Sequence, residues 1–330
     1  MNVSVVVPTI GRASLDELLA VLAGQLGTAA PGEVELLVVR DRPVDVAVPA
    51  RLRALTRVLD GPGRGPAAAR NVGWRAARHD WIAFLDDDVR PGPGWWHALR
   101  ADLSLPGAVG GSIGRIRVPL PPDRRPTDWE RCTAALSTSH WITADMAYRR
   151  SALAAVGGFD ERFPRAYRED AELAFRVRAA GWRLVRGARQ TTHPVRPENR
   201  WVSLRTQRGN ADDALLYRLY GSHWRSLLQV PPGRRPRHVA ITLAGVGALV
   251  AAACAADRRA RRPAGLAAAV GALGWLAGTA EFAAARIAPG PPTAAERTTM
   301  LLTSAAIPPL AVWHWLRGWL RAGPRPRPVR

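Results

Sequence analysis

The sequence predicts an α/β protein: a mostly parallel, doubly wound sheet over residues 1–230, then a hydrophobic helical region over 231–330. Three observations carry this. Uncharged runs rich in β-branched and aliphatic residues alternate with amphipathic stretches, the pattern of repeated βαβ units. One such run stops abruptly in three consecutive carboxylates, as strands do where open sheets bind ligands. Beyond Val230 the composition shifts to apolar stretches rich in Ala and Gly.

The elements follow in order. "VSVVVP" (Val3 to Pro8) reads as a first strand, because the chain start lacks the basic flank and long apolar core of a signal peptide. "SLDELLAVLAGQL" reads as a helix capped by Ser14, with Glu17 at the capping-box position. "VELLVV" is a second strand, Pro49 to Leu55 a helix, and the stretch near Val58 a short strand. Ala67 to Ala77 is a helix, and Trp81 to Leu85 a strand whose lack of charge suits the centre of a parallel sheet. "AVGGSIGRIRV", "WITADMAYRR" and "WRLVRG" are further strands, and "EDAELAFRVRAAGW" is strongly helical.

Composition narrows the function classes. The 330 residues carry a formal charge of +20, and all 47 basic residues are arginine. They are spread along the whole chain, and no zinc or helix-turn-helix signature accompanies them, so nucleic acid is not the expected partner. Arginine suits phosphate and carboxylate recognition, which favours anionic substrates and anionic lipid headgroups. Cys132 and Cys254 lie far apart, so neither a disulfide framework nor a metal site is indicated, and a reducing compartment fits.

Asp86, Asp87 and Asp88 at the strand end repel one another unless a cation compensates them. On an extended chain alternate residues share a face, so Asp86 and Asp88 would share a ligand. Asp87 would then point away as a solvated or structural acid.

Taken with the stretches "VSVVVPTIGR", "ELLVVRD", "GPAAARNVGW", "IAFLDDDVRPGPGWW", "TADMAYRRSALAAVGGFDERF" and "YREDAELAFRVRAAGWR", in that order and spacing, the chain resembles family 2 glycosyltransferases of the GT-A fold, a Rossmann-like architecture. The resemblance covers about residues 1–225. It implies an inverting transferase that moves a sugar from a nucleotide-diphosphate donor to an acceptor hydroxyl on a glycan, lipid or small molecule. Such a site must neutralise two phosphates, and Mg²⁺ or Mn²⁺ held by carboxylates does so.

The same resemblance assigns the site. Asp88 is the expected metal ligand, with Asp86 facing the ribose or the metal's water shell, and His193 of "HPVR" completing the metal or diphosphate site. Asp41, preceded here by Arg40 where the family commonly has a second acid, would accept a hydrogen bond from the base. Pro8, Thr9 and Arg12 should line the nucleotide cleft, with Arg70 and Asn71 opening toward it. Asp145 matches a position near the donor sugar. Asp170 is the expected general base, and Glu169 its neighbour in acceptor or sugar contacts; without the resemblance both would read as acids complementing a helix dipole. "QRGNADD" (Gln207 to Asp213) does not match the "QxxRW" signature of processive relatives.

Two other readings compete. The strand "IAFLDDDV" also fits a haloacid-dehalogenase-type phosphatase, but that class places the motif on its first strand and uses a downstream basic residue, typically Lys. A catalytically silent, membrane-bound nucleotide-binding scaffold on the same fold would bind donor without turning it over.

The stretches Val239 to Ala256, Ala264 to Ala280 and Met300 to Leu316 approach the length of a spanning helix. The positive-inside rule suggests that the first lies at the interface and the second crosses outward. The turn near Thr293 would then be external, and the third would return the basic tail to the cytoplasmic face, where the catalytic domain would work.

Overall fold

The computed structural model describes residues 2–256 and 261–323. Residues 257–260, between the first two apolar stretches, and most of the basic tail lie outside the described residues. The eight strands are β1 (Val3–Thr9), β2 (Val34–Arg40), β3 (Thr56–Asp60), β4 (Trp81–Leu85), β5 (Arg90–Pro91), β6 (Val109–Arg117), β7 (Asp145–Arg149) and β8 (Arg183–Thr192), in one sheet ordered β3-β2-β1-β4-β7-β6-β8-β5. Every residue of β1 and β4 is buried, as their uncharged sequences demand.

The sheet has two halves of different character. β3, β2, β1 and β4 run parallel. β7 then joins β4 antiparallel, with Leu85 opposite Asp145, and pairs antiparallel with β6 as well. The expected doubly wound pattern therefore holds for the first half and gives way to a mixed half. Because β1, β2 and β4 are parallel, Thr9, Arg40 and Leu85 end at the same edge, which gathers the residues that follow them.

Helices α1 (Ser14–Leu26), α2 (Pro66–Ala76), α3 (Trp95–Asp102), α4 (Asp128–Ala134), α5 (Arg150–Ala155) and α6 (Glu169–Ala179) accompany the sheet, followed by α7 (Val202–Arg205), α8 (Asn210–Tyr220) and α9 (Trp224–Leu227). Two local expectations change. Ala13 already has helical angles, so Ser14 lies inside the first turn and caps nothing, and Glu17 pairs with Arg90 instead. The helix expected from Pro49 is a 3₁₀ segment, Ala50–Leu55.

Three long helices end the described chain: α10 (Arg235–Cys254), α11 (Arg261–Ile287) and α12 (Ala294–Arg321). α10 and α11 form an antiparallel hairpin, and glycine lets them close together. A Cβ on Gly278 would come within 2.6 Å of Ile241, and one on Gly271 within 2.9 Å of the Ala244 carbonyl oxygen. The hairpin's root is tied to the sheet unit. Arg286 is buried and donates to Asp128 of α4 at 2.7 Å and to Thr303 of α12 at 2.7 Å.

This arrangement corrects the expected topology. Ala288 accepts from Arg125, and Glu296 accepts from the Asp128 backbone at 2.9 Å, so the turn near Thr293 sits on the sheet unit rather than on the far side of a membrane. α12 lies along α8, where a Cβ on Gly318 would meet the Ala211 carbonyl oxygen at 2.5 Å.

Candidate active site

The chain turns immediately after β4, with the Val89 amide donating to the Asp86 carbonyl. It is therefore not extended here, and the three acids diverge to three partners. Asp86 accepts from Arg70 at 2.7 Å. Asp87, expected to point away, is buried; it accepts from the Thr9 hydroxyl at 2.7 Å and pairs with Arg12 at 2.5 Å. That acid fixes the start of the loop after β1, and nothing in its sequence position distinguishes it from its neighbours. Asp88 faces His193 Nε2 at 3.6 Å and Arg196 Nε at 3.1 Å.

Burial pushes the Asp88 carboxyl above the usual range, and the charge of Asp86 adds to the effect; His193 and Arg196 oppose it. His193 Nδ1 lies 3.1 Å from the Pro194 carbonyl oxygen. A carbonyl only accepts, so Nδ1 carries the hydrogen of that bond, and Nε2 is the ring nitrogen that faces Asp88.

Arg70 is the centre of the site. A solvated helical arginine would be ordinary at this position, yet its side chain is 1% exposed and sits between Asp86 and Glu169, donating to Glu169 Oε1 at 2.8 Å. Its guanidinium also lies over the Phe159 ring, 5.4 Å from the centroid. Among the described residues Arg70 Nε and Glu169 Oε2 have no hydrogen-bond partner. Burial, reinforced by the neighbouring Asp170, pushes the Glu169 carboxyl up to about 8 against the pull of Arg70. Asp170 is half-buried, accepts from the Ala171 amide at 2.7 Å, and is likewise raised by burial.

The residue before this pair is strained. Arg168 has φ 75°, a conformation that costs a non-glycine residue about 1 kcal/mol or more. It is held there by Asp213 at 3.3 Å and by the adjacent Tyr167 ring. No sequence signal announces a positive φ at an arginine.

Other expected residues have different duties. Asp41 is buried at the cleft edge and accepts from the Gly63 and Gly65 amides at 2.8 and 2.7 Å, holding the loop between β3 and α2. Pro8 is buried within β1. Asn71 does not line the cleft: its amide donates to Phe159 and Glu161 and accepts from Trp74 and the Phe159 amide, which uses its bonding capacity on packing α2. Asp145 is fully buried and accepts from Trp95, Arg189 and Thr191, so in place of a sugar contact it anchors the mixed half of the sheet.

Residues 4–168 match the family described as glycosyl transferase family 2. The chain belongs to glycosyltransferase family 2. Its sheet is the GT-A arrangement, with two long apolar C-terminal helices added. The chain is 34% identical over 141 residues to the pre-mycofactocin glycosyltransferase of Mycobacterium tuberculosis, covering 38% of this chain and 29% of that protein. It is 29% identical over 219 residues to the validoxylamine A glucosyltransferase of Streptomyces hygroscopicus subsp. limoneus, covering 54% of this chain and 48% of that one. The matches thus span less than half of either relative. Among solved structures, the mannosyltransferase PcManGT from Pyrobaculum calidifontis, in complex with GDP-Man and Mn²⁺, superposes with a TM-score of 0.49 at 18% identity, covering 97% of this chain and 85% of that one.

Proposed function

We propose that this family 2 member transfers a sugar, with inversion, from a nucleotide-diphosphate donor to an acceptor hydroxyl. The observation that carries the reading is the Arg70 bridge, which joins Asp86 at the end of the parallel strands to Glu169 beside Asp170 at the start of α6. The two acid groups thereby become one site with a donor side and an acceptor side. In the step, the acceptor oxygen bonds to the anomeric carbon as that carbon's bond to the diphosphate oxygen breaks. The electron pair leaves on the diphosphate, and the hydroxyl proton passes to Asp170. A carboxyl raised by burial is a better base at neutral pH than an exposed one.

Thr9, Arg12 and Asp41 line the edge where the nucleotide would lie, and Arg196 beside Asp88 would meet the phosphates. Among the described residues no group of three or more His, Cys, Asp or Glu gathers as a ready cation cage. Asp88 and His193 still fit a small divalent cation: a carboxylate oxygen and a ring nitrogen face each other at 3.6 Å. Mg²⁺ or Mn²⁺ is often held by few protein ligands plus substrate phosphates. When bound, it would neutralise the leaving diphosphate.

The test is nucleotide release from a panel of nucleotide sugars, with and without chelator, by wild type and by Asp88→Asn. Chelator-sensitive release by wild type alone supports the reading. Binding without turnover of any donor, with acceptors supplied, would leave a silent scaffold. Because nucleotide sugars are cytoplasmic, this reading puts the sheet unit at the cytoplasmic face.

A further inference from the structure

The α10–α11 hairpin stands away from the sheet unit with almost nothing covering it. In the most apolar stretch of either helix only 11% is buried. Leu243, Leu249 and Val250 on α10 are 65%, 74% and 58% exposed, and Leu266, Val270 and Leu273 on α11 are 69%, 61% and 66% exposed. On each helix these residues share one face, opposite the positions that pack the two helices together (Ile241, Ala244 and Gly245 on α10, Gly271 and Gly278 on α11), so the hairpin's two apolar faces point away from each other.

We infer that the hairpin inserts as a unit into a lipid bilayer, with both of its root ends and the turn near Thr293 on the side of the sheet unit. Four observations select lipid over a second copy of the chain. A partner copy would cover one of these faces, whereas the two point away from each other and both are exposed. Between Arg237 and Cys254, and between Arg262 and Glu281, there is no charged residue. Those stretches are about 24 to 27 Å long at ~1.5 Å per residue, close to the roughly 30 Å hydrocarbon layer. Arginines mark the ends: Arg234 and Arg237 pair with Glu281 at the root, and Arg261 and Arg262 begin α11 at the far end. Long arginine side chains at helix ends reach the headgroups.

The positive-inside bias opposes placing Arg261 and Arg262 across the membrane. Packing outweighs it. Gly245 against Trp275, Gly271 against Ala244 and Gly278 against Ile241 close the two helices over their length, so α10 cannot lie at the interface while α11 crosses. Small-residue contacts of this kind are how helices associate in lipid. α12 adds an interfacial edge: Trp313, Leu316 and Leu320 are exposed at 60%, 47% and 78% and recur at helical spacing. Beside them Arg235 stacks on Trp315, and Trp315 on Trp319, joining the root of α10 to α12.

The test uses the full chain expressed in cells and does not depend on the chemistry of the cleft. The protein should stay in the membrane fraction through high salt and alkaline carbonate, and Leu249→Asp with Leu273→Asp should move it to the soluble fraction with donor-nucleotide binding intact. In a chain with Cys132 and Cys254 replaced by serine, Asp123→Cys and Ala294→Cys should behave alike toward a membrane-impermeant maleimide: both protected or both labelled in intact cells, and both labelled after permeabilisation. Release of wild type by carbonate, or a stable detergent-free soluble dimer, would overturn insertion. Labelling of Ala294→Cys from the side opposite Asp123→Cys would overturn the topology, whether or not the aspartate variant folds.

Discussion

Two arginines lie buried between carboxylates in this protein, and they differ in one respect. Arg189, in the mixed half of the sheet, donates to Asp145 and Asp102, to the Ser112 hydroxyl and to the Ser112 carbonyl, so every nitrogen has a partner. Arg70, at the edge of the parallel half, holds Asp86 and Glu169 but leaves its Nε and Glu169 Oε2 without partners among the described residues. Native proteins satisfy nearly all buried polar atoms, so the exceptions carry information. The Arg189 cluster is closed and holds the fold. The Arg70 cluster is open and retains bonding capacity for a ligand.

The largest effect should come from the open cluster. Asp170→Asn should keep the fold and nucleotide binding but lose transfer by roughly 10² to 10⁴ fold, the usual contribution of a general base. Sugar transfer and nucleotide binding measured on the same preparation separate the two. Transfer at the wild-type rate would move the proton acceptor elsewhere, with Glu169 the first to examine.

The closed cluster should answer in the opposite currency. Asp145→Ala leaves a buried guanidinium short of its counter-charge, and breaking such a pair costs about 3 to 5 kcal/mol of stability. Denaturant unfolding should show that loss, while the folded fraction keeps its turnover per molecule. If Asp145→Ala instead abolished turnover at unchanged stability, the two clusters would not divide as argued.

The same contrast explains what could be read from sequence. That Thr9, Arg12, Asp41, Asp86 and Asp88 gather at one edge is legible because a parallel strand's carboxyl end is visible as an uncharged run that stops at polar residues. The fates of Asp145 and Asn71 are not. Their partners Arg189 and Phe159 lie 44 and 88 residues away, and no local pattern records that those partners saturate them. The divergence of Asp86, Asp87 and Asp88 likewise needs the turn after β4, which the expectation of an extended chain missed. The packing of α12 is hidden for a related reason: its apolar length is visible, but Gly318, Thr303 and Ser304 match surfaces on α8 and α11 that only the fold assembles.

A chelator distinguishes the clusters without a substitution. If Asp88 and His193 hold a cation, removing it should weaken donor turnover by several kcal/mol of lost leaving-group stabilisation. It should leave the unfolding midpoint without donor nearly unchanged, because Asp88 already has Arg196 beside it. A chelator that lowered the midpoint as much as Asp145→Ala would make the metal structural.

The smallest expected effect lies in the pH dependence of stability, and it reads the open cluster directly. The Glu169 carboxyl is pushed from its ordinary 4.5 up to about 8 by burial. Between those values the unfolded chain has released the proton and the folded chain keeps it. Stability from this group is therefore fully present below about 4.5 and is lost as pH rises toward 8. Asp88 and Asp170, also raised by burial, slope the same way and persist in a Glu169 variant. Glu169→Gln should then flatten the decline between pH 5 and 8 without removing it, measured as unfolding midpoints across the range of roughly three pH units. An unchanged slope would mean that Glu169 is ionised beside Arg70 in the folded protein, and the open cluster would then be an ordinary ion pair.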